Sequence, residues 1–356
     1  MTIDLTYDNK FLVINSNYPK ELSLLKTTLT REIANAWMLK KTNSSINTER
    51  CFINNFGLVP VNLWLDVIKF TKDCNIYCEL SDKMKMYIAG FSLNFDYFKK
   101  YVDNLFLGAV NSKGQPFVPR DYQIKAAYEL LKYKRSTAEI STSAGKTLIS
   151  FIVFKFLMDC KQYKKFLYIV PSVDLATQSI DKYKEYESYL QHSNSNWSAA
   201  ILKSQLKKKE KEDLQDFNIL FGTYQSLCKK PVNFFTEFRT IIVDECHHVA
   251  TAKSIKTIID KCVNADYSMG VTGTFPKRET CENLTLQSYI GPLVYKLTAN
   301  DLINKEHAAT PIYVVFDILN WASDEEKQQL YFSRAQKNTE AGKNDISLGS
   351  KLLRHE

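Results

Sequence analysis

No uninterrupted apolar run in these 356 residues approaches the roughly 20 that a membrane-spanning helix requires, so no membrane association is expected. The opening MTIDLTYDNK lacks the basic-then-apolar order of a secretory signal, and a cytoplasmic address is expected. Internal repeats and low-complexity tracts are also missing. Cysteine is present eight times, but only Cys74 and Cys78 are spaced like metal ligands, and no second pair or histidine cluster lies near them. Reduced, mostly buried thiols are therefore expected rather than a zinc site.

What remains is an ordinary globular composition, 45% hydrophobic and 24% charged, with room for two domains and part of a third. The net charge of +8 suits a polyanionic partner without demonstrating one. The lysine-rich stretch Lys203–Lys211 mixes both signs and reads as a solvated helix face sooner than a binding patch.

Residues 1–98 read as a small α+β unit. Phe11–Asn15, Cys51–Ile53 and Ile76–Leu80 are short strand-like runs. Pro19 opens an amphipathic helix carrying Leu22, Leu25 and Leu29, and Val61–Thr71 has helical spacing behind the Gly57/Pro60 break. The polar, turn-forming residues Asn111–Pro116 suggest a linker over 99–118. From 119 to 300 strands and helices alternate, with continuous apolar runs at Phe166–Val170, Ile219–Gly222, Thr240–Val243 and Tyr267–Thr272. Such runs imply an α/β lobe whose parallel sheet is covered on both faces. Past Pro311 only Ile312–Phe316 suggests another strand.

Two motifs carry chemistry. Ile140-Ser141-Thr142-Ser143-Ala144-Gly145-Lys146-Thr147 lies between a short strand, Thr137–Ile140, and an apolar helix, Thr147–Asp159. That context makes a phosphate-binding loop, in which backbone N–H groups face an anion at a helix start. Gly145 permits close approach, Lys146 reaches the β- and γ-phosphates, and the Thr147 hydroxyl can ligate Mg²⁺. Ile140 replaces the first glycine of the general pattern, and the bland alternative is a chance turn at a helix start. About 100 residues on, the run Ile241-Ile242-Val243 ends in Asp244-Glu245-Cys246-His247-His248. One carboxylate, Asp244, suits the Mg²⁺ shell, and the other, Glu245, can orient and deprotonate water. Cys246 with two adjacent histidines cannot easily converge on one tetrahedral zinc.

Together these elements resemble motifs I and II of the superfamily 2 helicases. Further motifs of that family follow in order: Arg120-Asp-Tyr-Gln123, Pro171-Ser172 with Leu175 and Gln178, Gly222-Thr223-Tyr224-Gln225, and Thr272-Gly273-Thr274. The resemblance implies a RecA-like P-loop lobe using ATP and Mg²⁺, with Gln123 at the adenine edge. It also implies nucleic-acid contacts at Pro171, Ser172, Gln178, Gly222 and Thr223, and coupling through Thr272, Gly273 and Thr274. Read singly, Gln123 has a helix cap as its alternative role, and the threonines are equally strand-end turns. The amino-terminal unit, with Gly57-Leu58-Val59-Pro60 before a helix, is similar to that of the phage UvsW-type DNA helicases. An ATP-dependent motor on branched or duplex DNA in recombination, repair or replication follows as the expectation, in the host cytoplasm if phage-encoded. The alternatives are a nucleic-acid-binding fragment without motor activity and the translocase subunit of a restriction enzyme.

The family pattern then stops. These residues contain no Gln-x-x-Gly-Arg-x-x-Arg, and Arg354 stands in no matching context. Residues 301–356 read as a linker and the start of an incomplete second RecA-like lobe, which the rest of a longer protein or another chain would supply. Losing an arginine finger typically lowers turnover by roughly 10³–10⁵. The chain alone is thus expected to bind ATP weakly, hydrolyse it poorly and not unwind DNA.

Overall fold

Alternating burial along β8 (Phe166–Val170) shows how the main sheet is built: Phe166, Tyr168 and Val170 face one apolar cluster, Leu167 and Ile169 another. A strand buried on both sides must be apolar throughout, which is why its sequence is FLYIV. The computed structural model describes residues 1–6, 10–42, 46–90, 92–191, 197–202 and 217–304. The expectations for Lys203–Lys211, Ile312–Phe316, Arg354 and a second-lobe start beyond 304 lie outside the described residues.

The amino-terminal region forms a four-stranded sheet from β1 (Thr2–Leu5), β2 (Phe11–Asn15), β5 (Leu58–Pro60) and β6 (Glu79–Leu80), in the order β5-β2-β1-β6. Helices α1 (Pro19–Thr28), α3 (Trp64–Asp73) and α4 (Asp82–Ala89) accompany it. Its core gathers Ile3, Leu5, Leu12, Ile14, Leu25, Val67 and Phe70. A separate hairpin, β3 (Thr30–Glu32) with β4 (Glu49–Cys51), brackets helix α2 (Ala36–Thr42).

Helix α5 (Phe95–Leu105) occupies part of the segment that composition marks as linker. Phe98 and Val102, one turn apart on one face, are buried in the main lobe's core together with Phe106. The turn-forming residues 111–116 only close a small loop, bridged by Val110 and Pro116.

The lobe runs α6 (Asp121–Tyr133), β7 (Arg135–Ile140), α7 (Lys146–Lys161), β8, α8 (Val173–Tyr189), β9 (Ala199–Leu202), β10 (Ile219–Thr223) and α9 (Tyr224–Leu227). It continues with β11 (Thr240–Asp244), α10 (Lys253–Lys261), β12 (Tyr267–Thr272), α11 (Cys281–Tyr289), β13 (Leu293–Leu297) and α12 (Ala299–Asn304). Its seven strands pair in the order β13-β7-β12-β11-β8-β10-β9, every neighbour parallel. This is a RecA-like α/β lobe. Helices α5 to α8 cover one face; α9, α10 and α11 cover the other.

Helix α11 belongs to two cores. Cys281 and Leu284 join the amino-terminal core, while Leu286 joins the lobe's. Asn62 donates to the Ser288 and Tyr289 carbonyls at 3.1 and 3.3 Å, satisfying groups that the helix end leaves open.

Helix α7 is apolar nearly all round, as a helix packed between sheet, α6 and α8 must be. Lys155 is the exception: fully buried, it reaches the Glu187 carboxylate at 3.2 Å, which also accepts from Trp197 Nε1 at 2.9 Å. Breaking a buried ion pair from one side costs about 3–5 kcal/mol. Glu187→Ala should therefore lower the urea midpoint by an equivalent amount; an unchanged midpoint would refute the pairing.

Candidate functional site

The carboxyl ends of five adjacent strands bring the motif residues to one edge of the sheet. In spatial order these are the phosphate loop after β7, Thr272-Gly273-Thr274 after β12, Asp244-Glu245 after β11, Pro171-Ser172 after β8, and Gly222-Thr223 closing β10. Ligands of open parallel sheets bind at this edge.

Ile140 is a fully buried strand residue paired with Leu297, so the place of the first glycine in the general pattern belongs here to the core. The loop is then short: Ser141, one 3₁₀ turn over Thr142–Ala144, and Gly145, which leads into α7. Gly145 has φ +84°, and a Cβ there would stand 2.5 Å from Gln123 Nε2. Glycine is required on both counts. Thr142 and Ser143 are exposed, Ala144 is buried, and Thr147 is half-buried in the first turn of α7.

Gln123 is buried, and its amide is engaged at both ends. Its Oε1 accepts from the Arg120 N–H at 2.9 Å, and its Nε2 donates to the Ala144 carbonyl at 3.0 Å. It thus caps α6 and buttresses the phosphate loop at once.

Lys146 Nζ forms an ion pair with Glu245 Oε1, spanning the motifs. Glu245 adopts φ +47°, a left-handed backbone uncommon outside glycine, which turns its side chain back over the loop. Gly273 lies against the same loop: a Cβ there would come within 3.3 Å of Thr142 Oγ1 and 3.8 Å of Lys146 Nζ. Thr272 Oγ1 donates toward Glu245 Oε2 at 3.4 Å and shares a hydrogen bond with His247 Nδ1 at 2.8 Å. His247, which sequence reasoning considered only as a zinc ligand, therefore bridges the Asp-Glu and Thr-Gly-Thr segments. The only cue in the sequence is its position two residues after Glu245.

Burial pushes the Asp244 carboxyl up to about 6, reinforced by Glu245 and opposed by Lys146. For Glu245 burial pushes up as well, yet the Lys146 hydrogen bond and charge, with His247 and the Gly273 N–H, bring it below the usual range. Burial, with the adjacent His248, holds His247 below the ordinary imidazole value against the pull of Glu245. The cluster thus holds one acidified carboxylate against an ammonium, beside a neutral imidazole.

Thr147 and Asp244 offer a hydroxyl and a carboxylate, oxygen donors suited to a hard cation that keeps waters and phosphate oxygens as its other ligands. Among the described residues no group of three or more His, Cys, Asp or Glu side chains gathers as a metal cage. Cys246 is buried against Gly270, whose Cβ would meet its Sγ at 2.8 Å, so it is a packing residue. All eight cysteines are free, but only Cys246, Cys262 and Cys281 are buried; the expectation of mostly buried thiols is corrected. Cys51 ends β4 and Cys74 caps the carboxyl end of α3, both at the exposed surface of the amino-terminal region.

The remaining motif residues divide. Gln178 is exposed on α8, and Pro171 and Ser172 are half-buried, with Ser172 Oγ capping α8 through the Leu175 N–H at 3.3 Å. Gly222 and Thr223 are buried. A Cβ on Gly222 would strike Leu227 at 2.8 Å, and Thr223 Oγ1 caps α9 through the Ser226 N–H at 3.3 Å.

A family model described as "Type III restriction enzyme, res subunit" matches residues 116–277. The ATP-dependent DNA helicase uvsW of Enterobacteria phage T4 is 33% identical over 159 residues, 44% of this chain and 30% of the phage protein. The DNA 3'-5' translocase XPB2 of Sulfurisphaera tokodaii is 25% identical over 213 residues, 59% of this chain and 42% of that protein. The chain thus spans less than half the length of either relative. Two crystal structures of bacteriophage T4 UvsW share the fold, at 22% identity and covering 83% of this chain. One superimposes with a TM-score of 0.66 over 100% of its own chain, the other with 0.67 over 57%. Motifs, sheet order and relatives converge: the chain is similar to the superfamily 2 helicases of the phage UvsW kind, and its fold is that of their first RecA-like lobe.

Proposed function

We propose that this chain is the nucleotide-binding half of an ATP-driven motor that works on branched or duplex DNA in recombination, repair or replication. The observation that carries the reading is the contact of Lys146, Glu245, Thr272 and His247 across three strand ends, beside a phosphate loop buttressed by Gln123.

In this reading Ser141–Thr147 cradle the triphosphate and Lys146 leaves Glu245 for the β- and γ-phosphates. Thr147 and Asp244 would hold Mg²⁺, which when bound would supply charge neutralisation on the phosphates. Glu245, once freed, orients the attacking water and accepts its proton. Gln123 has one N–H and one lone pair left for the adenine edge. Thr272, Gly273 and Thr274 relay the state of Glu245 through His247 toward the nucleic-acid side. There Pro171, Ser172 and Gln178 would meet DNA phosphates, while Gly222 and Thr223 shape the neighbouring strand end from beneath. Residues 1–94 serve as an accessory DNA-binding unit ahead of the lobe, whose core begins with α5, and a second lobe completes the cleft. No described helix is long and apolar enough to cross a membrane, in keeping with action in the cytoplasm, that of the host for a phage protein.

The matched family description favours a second reading, a restriction-type DNA translocase subunit. One competition assay tests both. Forked, Holliday-type, single-stranded and RNA ligands compete for the chain with Mg·ATP present, across a salt series. The motor reading expects branched DNA to win, with turnover by the chain alone staying low for want of the second lobe's arginines. Preference for RNA would overturn it; preference for unbranched duplex would favour the restriction-type reading.

A further inference from the structure

The connection between β3 and β4 carries three exposed large apolar side chains in sixteen residues: Trp37 at 60%, Met38 at 50% and Ile46 at 37% of full exposure. Residues 33–48 also contain Lys40 and Lys41 and no carboxylate. Asn35, with φ +59°, turns the chain sharply into α2, whose buried Ala36 and half-buried Leu39 hold the helix down. Helical spacing then sets Trp37 and Lys41 on one outward side, with the Lys41 ammonium 5.1 Å from the centre of the Trp37 ring. Lys40 is tied back to Glu32 of β3 at 3.2 Å.

The base of this excursion is firm. Ile33 N–H donates to the Thr48 carbonyl at 2.8 Å, and β3 pairs with β4 in register. Arg50 of β4 lies over the Phe52 ring and donates to Thr285 Oγ1 of α11 at 3.4 Å. Helix α11 begins seven residues after Thr274, so the root of the excursion rests on the element that follows the Thr-Gly-Thr segment.

We propose that this excursion is a stacking prong for DNA: Trp37 places its ring against an unpaired base where a duplex splits, and Lys41 pairs with the adjoining phosphate. An exposed indole beside a cation, on a firm root and with no carboxylate within the segment itself, is the chemistry that binds bases without regard to sequence. The two lysines favour a polyanion, and the exposed indole favours one with planar faces. The proposal rests on the DNA-motor reading and adds a residue to it.

The test uses the full 356-residue chain, and three DNAs of equal length carrying 2-aminopurine. They are a fork with the probe at the first unpaired position, a blunt duplex and a single strand. Stacking should quench the fork probe. Trp37→Ala should weaken fork binding by roughly ten- to a hundredfold, leaving blunt-duplex binding and the thermal midpoint unchanged. Trp37→Phe should retain most of the fork affinity, and Lys41→Ala should reduce the salt slope by about one. Fork affinity unaltered in Trp37→Ala overturns the prong while leaving the motor reading in place. Failure of the wild-type chain to bind any of the DNAs overturns both. Phosphatidylglycerol vesicles provide the last arm: Trp37-dependent capture by vesicles together with Trp37-independent binding to the fork would reassign the excursion to a lipid surface.

Discussion

Glu245→Gln is expected to bind Mg·ATP more tightly than the wild type while hydrolysing it roughly 10²–10⁴-fold more slowly. The two effects have one origin. Glu245 holds the Lys146 ammonium in a part-buried ion pair, which on the proposed reading a triphosphate must break. The neutral amide releases the lysine and removes a negative charge beside the phosphates. Coupling of close charge pairs starts at about 1.5 kcal/mol, which corresponds to an affinity gain of about tenfold. The amide has no lone pair basic enough to take a proton from water, so turnover falls by the contribution of a general base. Equilibrium binding of a fluorescent ATP analogue and single-turnover hydrolysis with saturating forked DNA separate the two. Weaker nucleotide binding in Glu245→Gln would show that the ion pair does not compete with ATP.

Lys146→Ala should move binding the other way. Truncating one partner of a hydrogen-bonded charge pair costs about 2–5 kcal/mol, or roughly 30- to 5,000-fold in ATP affinity. The variant also leaves Glu245 without the ammonium that draws its carboxyl down against burial. Affinity for forked DNA in the absence of nucleotide should stay nearly constant, because Lys146 faces the phosphate loop and not the ends of β8 and β10. Loss of DNA binding together with ATP binding would refute that separation. In the double variant the affinity changes should fail to add, as expected of side chains in contact.

Much of this lobe was legible because parallel, two-sided burial writes itself as uninterrupted apolar runs: β8, β11 and β12 coincide with the stretches marked on composition. The small amino-terminal sheet was less legible. Its strands are two to five residues long, too short for period two to register. The run Ile76–Leu80 shrinks to Glu79–Leu80 after a left-handed Asn75, with Tyr77 exposed. Helix α5 was obscured by the turn-rich residues that follow it, although Phe98, Val102 and Phe106 repeat every four positions. In the site, residue types announced the loop and the two carboxylates, but pairings across strands left no local trace. Nothing near His247 in the chain indicates that Thr272 comes to 2.8 Å from it. The double engagement of Gln123 is equally non-local, since Ala144 lies twenty-one residues away.

The two-core membership of α11 changes what can be removed from this protein. A small sheet ahead of a motor lobe looks like a module that evolution could trade at will. Here the loss of residues 1–94 would bare Cys281 and Leu284, strip Asn62 from the carbonyls of Ser288 and Tyr289, and release Arg50 from Thr285. Exchange of the front piece therefore demands compensating substitutions within 281–289, a few residues past the Thr-Gly-Thr segment. Inheritance of the two parts is coupled by one helix, and their divergence must be too.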